Sequence, residues 1–398
     1  MKNNNKKNLY IGITTSVMGN KVFDLANNFM ISKANPMSSS ILAVYQSSEL
    51  LVSVVLNLLG GAISDRTTKK NLIAIISDLL SGLFVLSILF LENTKWPLHY
   101  IIIPVNIMLS IISAFNAPAS KSLIKHYINK NEVKNFNSVL QTSIQIIKVS
   151  TPIITLGLMK LIGYRGIILI NAFTFFISAF VEFKLIGKSE IKKEESPNKN
   201  VLHNISEGIK YLFKKKQIFN LILTSAIVNF FLSGYNLFIP YSRNLYNVEF
   251  DPYVVFTTSE AIGGVLAGIV SFKLIKGNSS LKSYDFLIYS GLSIVGYFIN
   301  LVFLRNIIIA SSFILIFNLF LSIYNILFIS AINDEVDSNY IGRVFAVVST
   351  ISLAFMPIGS MFFSFSFSAS SGIQYLFIGL GVIITSWVFK NIYKNSSF

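Results

Sequence analysis

The chain has 398 residues, enough for two or three soluble domains, but its composition excludes them. Hydrophobic residues make up 53% and charged residues 13%, with mean hydropathy +0.63, whereas soluble domains carry about 25% charged residues. A net charge of +15 would suit nucleic acid in a soluble protein; here the basic residues sit in short segments between apolar stretches, where they set membrane topology and leave no nucleic-acid partner to expect.

A membrane span needs roughly 20 apolar residues. With that window the sequence predicts spans near 9–33, 41–64, 71–91, 98–117, 136–160 and 165–186, then near 217–240, 252–275, 283–304, 306–332, 343–366 and 372–392. The first stretch follows Lys2, Lys6 and Lys7, as a signal peptide would. It runs on to Ile31 through Asn20, Asp24 and Asn27 without a small-residue cleavage site, so it reads as a retained span. With the N-terminus inside, most lysines and arginines fall in cytoplasmic segments, and only Lys33, Lys95, Lys160, Arg165, Arg243 and Arg305 fall outside. This alternation fits twelve spans with both termini cytoplasmic.

The expected fold class is therefore an all-α polytopic membrane protein with twelve transmembrane helices in two pseudo-symmetric six-helix bundles. Residues 1–187 would form the N-terminal half and 217–398 the C-terminal half. Between them, 188–216 reads as a cytoplasmic linker in which Leu202, Ile205, Ile209, Leu212 and Phe213 recur at the spacing of an amphipathic helix. Ser48-Glu49 in span two and Ser259-Glu260 in span eight occupy matching places in the two halves, as a repeat about the membrane normal would put them.

Between spans two and three stand Gly61, Asp65, Arg66, Lys69, Lys70 and Ile73. This spacing resembles the loop motif of the major facilitator superfamily, although Thr68 stands where that family usually has a second glycine. The stretches Gly19 to Ala26, Phe115 to Ala119 and Gly342 to Val344 are similar to the macrolide-efflux branch of its drug exporters. The resemblance implies that Gly61, Asp65, Arg66, Lys69 and Lys70 form a conformational-switch loop, with Asp65 against the start of span eleven. Arg66, Lys69 and Lys70 can also pair with Asp78 or with lipid phosphates. Leu109 occupies the place in span four where such exporters often carry an arginine.

Ionisable residues inside spans are costly and mark pathways. Span one offers Lys21, Asp24 and Asn28, with Lys21 and Asp24 spaced to pair; span two offers Glu49; span five offers Gln145 and Lys148; span eight offers Glu260. Asp24, Glu49 and Glu260 each lie about 13 Å from the outer end of their span. A desolvated carboxylate exchanges a proton near neutral pH, so these three can couple protons to transport, with Lys148 holding one of them charged or binding an anionic substrate group. Tyr235, Tyr324 and the phenylalanines of span eleven can line an apolar pocket, although packing or lipid contact explains such residues more often.

Cysteine is absent, and His99, His126 and His203 lack metal-ligand spacing, so no metal site and no cofactor are expected. No catalytic motif is present, and the chain does not read as an enzyme. The expectation is a monomeric secondary exporter of amphipathic small molecules in the bacterial plasma (inner) membrane, with protons and the lipid bilayer as its other partners. The alternative is an importer or facilitator of a sugar, peptide or lipid on the same fold.

Overall fold

The computed structural model describes residues 2–66, 70–185, 207, 209–213, 215–249, 251–274, 279–337 and 340–395. All regular structure among them is helical. Hydrocarbon supplies no partner for a backbone N–H or C=O, and a helix satisfies both groups internally. Among the described residues, nine helical stretches are long and apolar enough to cross a membrane.

The helices are α1 (Lys2–Ala34), α2 (Ser40–Arg66), α3 (Lys70–Leu91) and α4 (Leu98–Tyr127), followed by a continuous stretch Lys130–Phe183. At 1.5 Å per residue that stretch would reach about 80 Å, far beyond a hydrocarbon core of about 30 Å. It breaks at Gly163, where φ is 67° and ψ −176°, a backbone conformation that only glycine adopts readily. The break gives α5 (130–162) and α6 (164–183). Contacts with α1 show that the chain reverses there. Tyr10 bonds Ser143 at 2.5 Å, so α5 runs with α1 as far as the Lys21 and Lys148 neighbourhood. Along α6 the order inverts: Gly12 faces Ser178, Gly19 faces Thr174, and Asn27 accepts from Tyr164.

After the linker come α7 (Lys216–Phe238), a short 3-10 turn (Ile239–Asn244), α8 (Pro252–Leu274), α9 (Ser279–Phe303), α10 (Ile307–Glu335), α11 (Ile341–Ser366) and α12 (Gln374–Asn395). Each helix falls on one of the apolar segments that hydropathy marks out. In the linker, 209–213 are helical, with Leu212 buried and Phe213 exposed, while Leu202 and Ile205 lie outside the described residues.

The chain forms two compact units. The first comprises Met1–Ile31 and Leu51–Asn198, and the second comprises Ser32–Leu50 and Lys199–Phe398. In the first, α3 packs on α4 and on the α5–α6 stretch. At one end of this unit Asn71 donates to the Tyr127 hydroxyl, which donates to the Leu185 carbonyl at 2.7 Å. In the second, α7 pairs with α11 and α12, α8 with α10, and α9 with α10 and α12. The 32–50 segment is drawn into the second unit by two backbone carbonyls: Ser38 accepts from the Tyr241 hydroxyl at 2.9 Å and Pro36 from the Asn244 amide at 2.7 Å.

Small residues set the closest approaches in the second unit, as they do wherever helices meet in lipid. A Cβ on Gly359 would lie 2.2 Å from the Phe230 carbonyl oxygen of α7, and one on Gly263 would lie 2.3 Å from the Leu315 carbonyl oxygen of α10. Outward, Phe90, Phe173, Phe303, Phe365 and Trp387 stand largely exposed, the surface a bilayer-embedded protein presents to lipid. The first prediction concerns Gly163. Gly163→Ala strains the backbone by about 1–3 kcal/mol and lowers the thermal midpoint of the purified protein followed by intrinsic fluorescence. Gly157→Ala, whose added Cβ meets nothing within 4 Å, leaves the midpoint unchanged or raises it.

Candidate functional site

The expected polar residues distribute between the two units. Lys21, Asp24 and Asn28 of α1 and Gln145 and Lys148 of α5 belong to the first; Glu49 of α2 and Glu260 of α8 belong to the second.

In the first unit, the Asn28 amide turns back onto its own helix and donates to the Asp24 carbonyl at 2.7 Å. Asp24 is half-buried, while Lys21, Gln145 and Lys148 are exposed on the unit. Lys21 and Lys148 lie close enough for their ammonium groups to repel. The Lys21–Asp24 pairing allowed by their spacing does not form: among the described residues Lys21 has no carboxylate partner. Three residues apart on one helix, the two side chains can still point to different neighbours, and here α5 brings a second lysine instead.

In the same unit lies a pair of buried carboxyls. Asp78 of α3 is only 2% exposed and Glu182 of α6 only 5%. The Asn116 amide of α4 donates to Asp78 at 2.8 Å, Ser120 donates to Asn116, and Ser178 lies beside Asp78. Glu182 is near enough to interact with Asp78, and its Oε2 has no hydrogen-bond partner. Lys70 does not reach Asp78. Its ammonium group donates to Ser122 at 2.9 Å, because Asp78 sits two turns further along α3, about 12 Å away along the axis. The signal was available in the sequence: a carboxylate eight residues inside an apolar helix has no route to water, so it has to find donors on adjacent helices.

In the second unit Glu260 is half-buried and accepts a hydrogen bond from the Tyr235 hydroxyl of α7 at 2.5 Å, its one hydrogen-bond partner among the described residues. Tyr235 is itself buried and packs on Phe317 of α10 and Tyr375 of α12, with Tyr297 of α9 against Tyr375. Four helices thus fix one carboxylate through one phenol. Glu49 is exposed on its unit and engaged by neighbours. Of the aromatic candidates, Tyr235, Tyr324 and Phe363 are packing residues, whereas Phe362 and Phe365 face outward.

The described residues hold no cluster of three or more histidine, cysteine, aspartate or glutamate side chains able to bind a metal. A family model described as Major Facilitator Superfamily matches residues 9–360. The chain belongs to this superfamily. It is a multi-pass membrane transporter rather than an enzyme, and superfamily transporters take small-molecule substrates and commonly work as monomers.

Two relatives are the MFS-type transporters YkuC and YfiS of Bacillus subtilis (strain 168). YkuC is 26% identical over 288 residues, covering 69% of this chain and 65% of YkuC, just under two thirds of its length. YfiS is 25% identical over 334 residues, covering 81% of this chain and 76% of YfiS. Among solved structures, a bacterial homologue of the iron transporter ferroportin in an inward-facing state superposes with TM-score 0.78 at 16% identity, over 98% of each chain. The nucleoside transporter NupG gives 0.76 at 12% identity, over 98% of this chain and 99% of NupG. A bacterial homologue of the human lysosomal transporter Spinster gives 0.70 at 13% identity, over 98% and 95%. At these identities the likeness is one of fold.

Within the superfamily's loop motif, Gly61, Asp65 and Arg66 lie in the last turns of α2 and Lys70 opens α3. Lys69, and the side chains of Gly61, Asp65 and Arg66 with it, lie outside the described residues. The buried carboxyl pair yields the second prediction. Asn116→Ala removes the donor to Asp78 and leaves a buried acceptor short of a partner, at a cost of about 1–3 kcal/mol. The thermal midpoint of the purified protein should fall, and Asn116→Gln, which keeps an amide, should recover part of the loss.

Proposed function

We propose that this superfamily member is a secondary active exporter of amphipathic small molecules, coupled to protons and working by alternating access. The observation that carries the reading is Glu260. It is a half-buried carboxylate well inside a span, and its described hydrogen-bond partner is a neutral phenol rather than a cation. A carboxylate placed this way gains from taking up a proton or a cationic ligand, and either event changes the charge of the second unit. Asp24 and Glu49 serve in the same cycle, with Asn28 and Gln145 as polar lining. The loop from Gly61 to Lys70, including Asp65, Arg66 and Lys69, acts as the switch between states.

The reading extends to topology and place. Twelve spans in two bundles of six, joined by the basic linker 188–216, sit in a bacterial plasma membrane with both termini cytoplasmic. Resemblance to the macrolide-efflux branch supports export, and the two Bacillus relatives give no substrate. The same fold serves the iron, nucleoside and Spinster-type transporters named above, so direction and substrate rest on the site.

The test is efflux of an amphipathic dye from cells or proteoliposomes under an imposed pH gradient. Glu260→Gln should reduce gradient-driven efflux at least about tenfold, with the thermal midpoint near that of wild type. Tyr235→Phe should give a smaller loss, because the carboxylate remains and only its positioning donor goes. If Glu260→Gln and Asp24→Asn both extrude dye as wild type does, proton coupling through these groups is wrong.

A further inference from the structure

The end of the second unit where α7 leads into α8 holds more polar groups than its packing satisfies. Tyr246, on the connection between those helices, donates to the Asn300 side-chain oxygen at 3.3 Å. Asn300 stands about one turn beyond Tyr297 on α9, and the Tyr297 ring meets Tyr375 of α12 edge-on, 4.8 Å between centroids. The Tyr375 ring lies 6.3 Å from that of Tyr235, the phenol bonded to Glu260. Each residue from Tyr246 to Tyr235 is at most 5% exposed. One buried polar seam therefore runs from the α7–α8 connection to the carboxylate.

Along this seam four polar atoms have no hydrogen-bond partner among the described residues. They are the Tyr297 and Tyr375 hydroxyls and the amide nitrogens of Asn300 and of Gln374, the fully buried residue before Tyr375. Each buried polar group left unpaired costs about 1–3 kcal/mol, and phenylalanine in place of either tyrosine would avoid it. Buried groups of this kind bind ordered water, which takes two to four polar partners. Hydroxyls and water are also the groups that pass protons, because each oxygen can accept one proton while it releases another.

We propose that Tyr297 and Tyr375, with the Asn300 and Gln374 amides, hold ordered water and relay protons from the α7–α8 connection to Glu260. Tyr235 gives its hydroxyl proton to the Glu260 carboxylate and takes one from the seam behind it. Each oxygen further back does the same, and the last proton enters from bulk water beside Tyr246. Every phenol ends neutral, and the net change is one carboxylate made a carboxylic acid. The charged side chains on that connection are Arg243 and Asp251, paired at 3.4 Å, and the exposed Glu249. The proposal rests on the coupling reading of Glu260 and supplies its route.

Protonation of Glu260 is followed on the purified full-length protein in detergent, by infrared difference spectroscopy after photolytic release of protons. The carboxylic C=O band of Glu260 is the one that Glu260→Gln removes. Tyr297→Phe and Tyr375→Phe keep the rings and delete the hydroxyls. Each should slow the rise of that band at least about tenfold, the scale of one positioned proton-transfer group, and leave its final amplitude as in wild type. Tyr284→Phe deletes another buried, unpartnered hydroxyl, about 20 Å from Tyr297 along α9, and should leave the rate unchanged. A wild-type rate in either Tyr297→Phe or Tyr375→Phe overturns the relay and leaves the coupling reading standing, with Glu260 protonated directly. Equal slowing by Tyr284→Phe overturns it too, since the effect is then general to the unit. A Glu260 band that does not respond to acid overturns the coupling reading and the relay with it.

Discussion

Inside hydrocarbon a polar group finds no water, and every donor or acceptor left over by the backbone has to meet another part of the protein. The helices satisfy the backbone. What remains is a small set of polar side chains, and the structure binds them helix to helix: Tyr164 to Asn27, Asn116 to Asp78, Tyr235 to Glu260, Lys390 to Asp285. Each bond joins two different helices. The polar residues therefore act as registration points, fixing how far one rod slides along the next, while packing supplies most of the contact. Lys21 and Lys148 are conspicuous because they lack such a bond among the described residues.

The lengths and order of the helices are legible in the sequence because hydrophobic length responds directly to membrane thickness, and charge alternation checks it independently. The turn at Gly163 was legible too, since hydropathy alone leaves a gap between 160 and 165. What one dimension cannot give is azimuth. Asp78 lies eight residues inside α3, whereas Glu182 lies one residue from the end of α6. Only the packing of α3, α4 and α6 shows them to be buried together. Lys21 and Asp24 have the spacing of a pair, yet the arrival of α5 sets the neighbourhood of Lys21. Glu260 was visible as an intramembrane acid, and Tyr235 as an aromatic on the next helix. Their bond depends on the lateral order of α7 and α8, which the sequence does not encode locally.

The abundance of phenylalanine also acquires two separate explanations. Some rings face outward, where a soluble protein would have charge. Others fill the notches that glycines leave on facing helices: Phe363 against Gly234, Phe231 against Gly381, Phe313 against Gly296 and Phe176 against Gly82. In each case a Cβ on the glycine would overlap the ring, so these pairs specify which helices can be neighbours. Ring and notch do for the apolar seams what paired side chains do for the polar ones, and together they define each unit without a disulfide.

The break at Gly163 has a mechanical consequence. Two long rods that meet through one residue have no slack between them. A tilt of α5 is transmitted to α6 across a single joint, and α1, which touches both rods in opposite directions, braces the angle between them. The three close a triangle, with α1 bonded to α5 at one end and to α6 beside the joint.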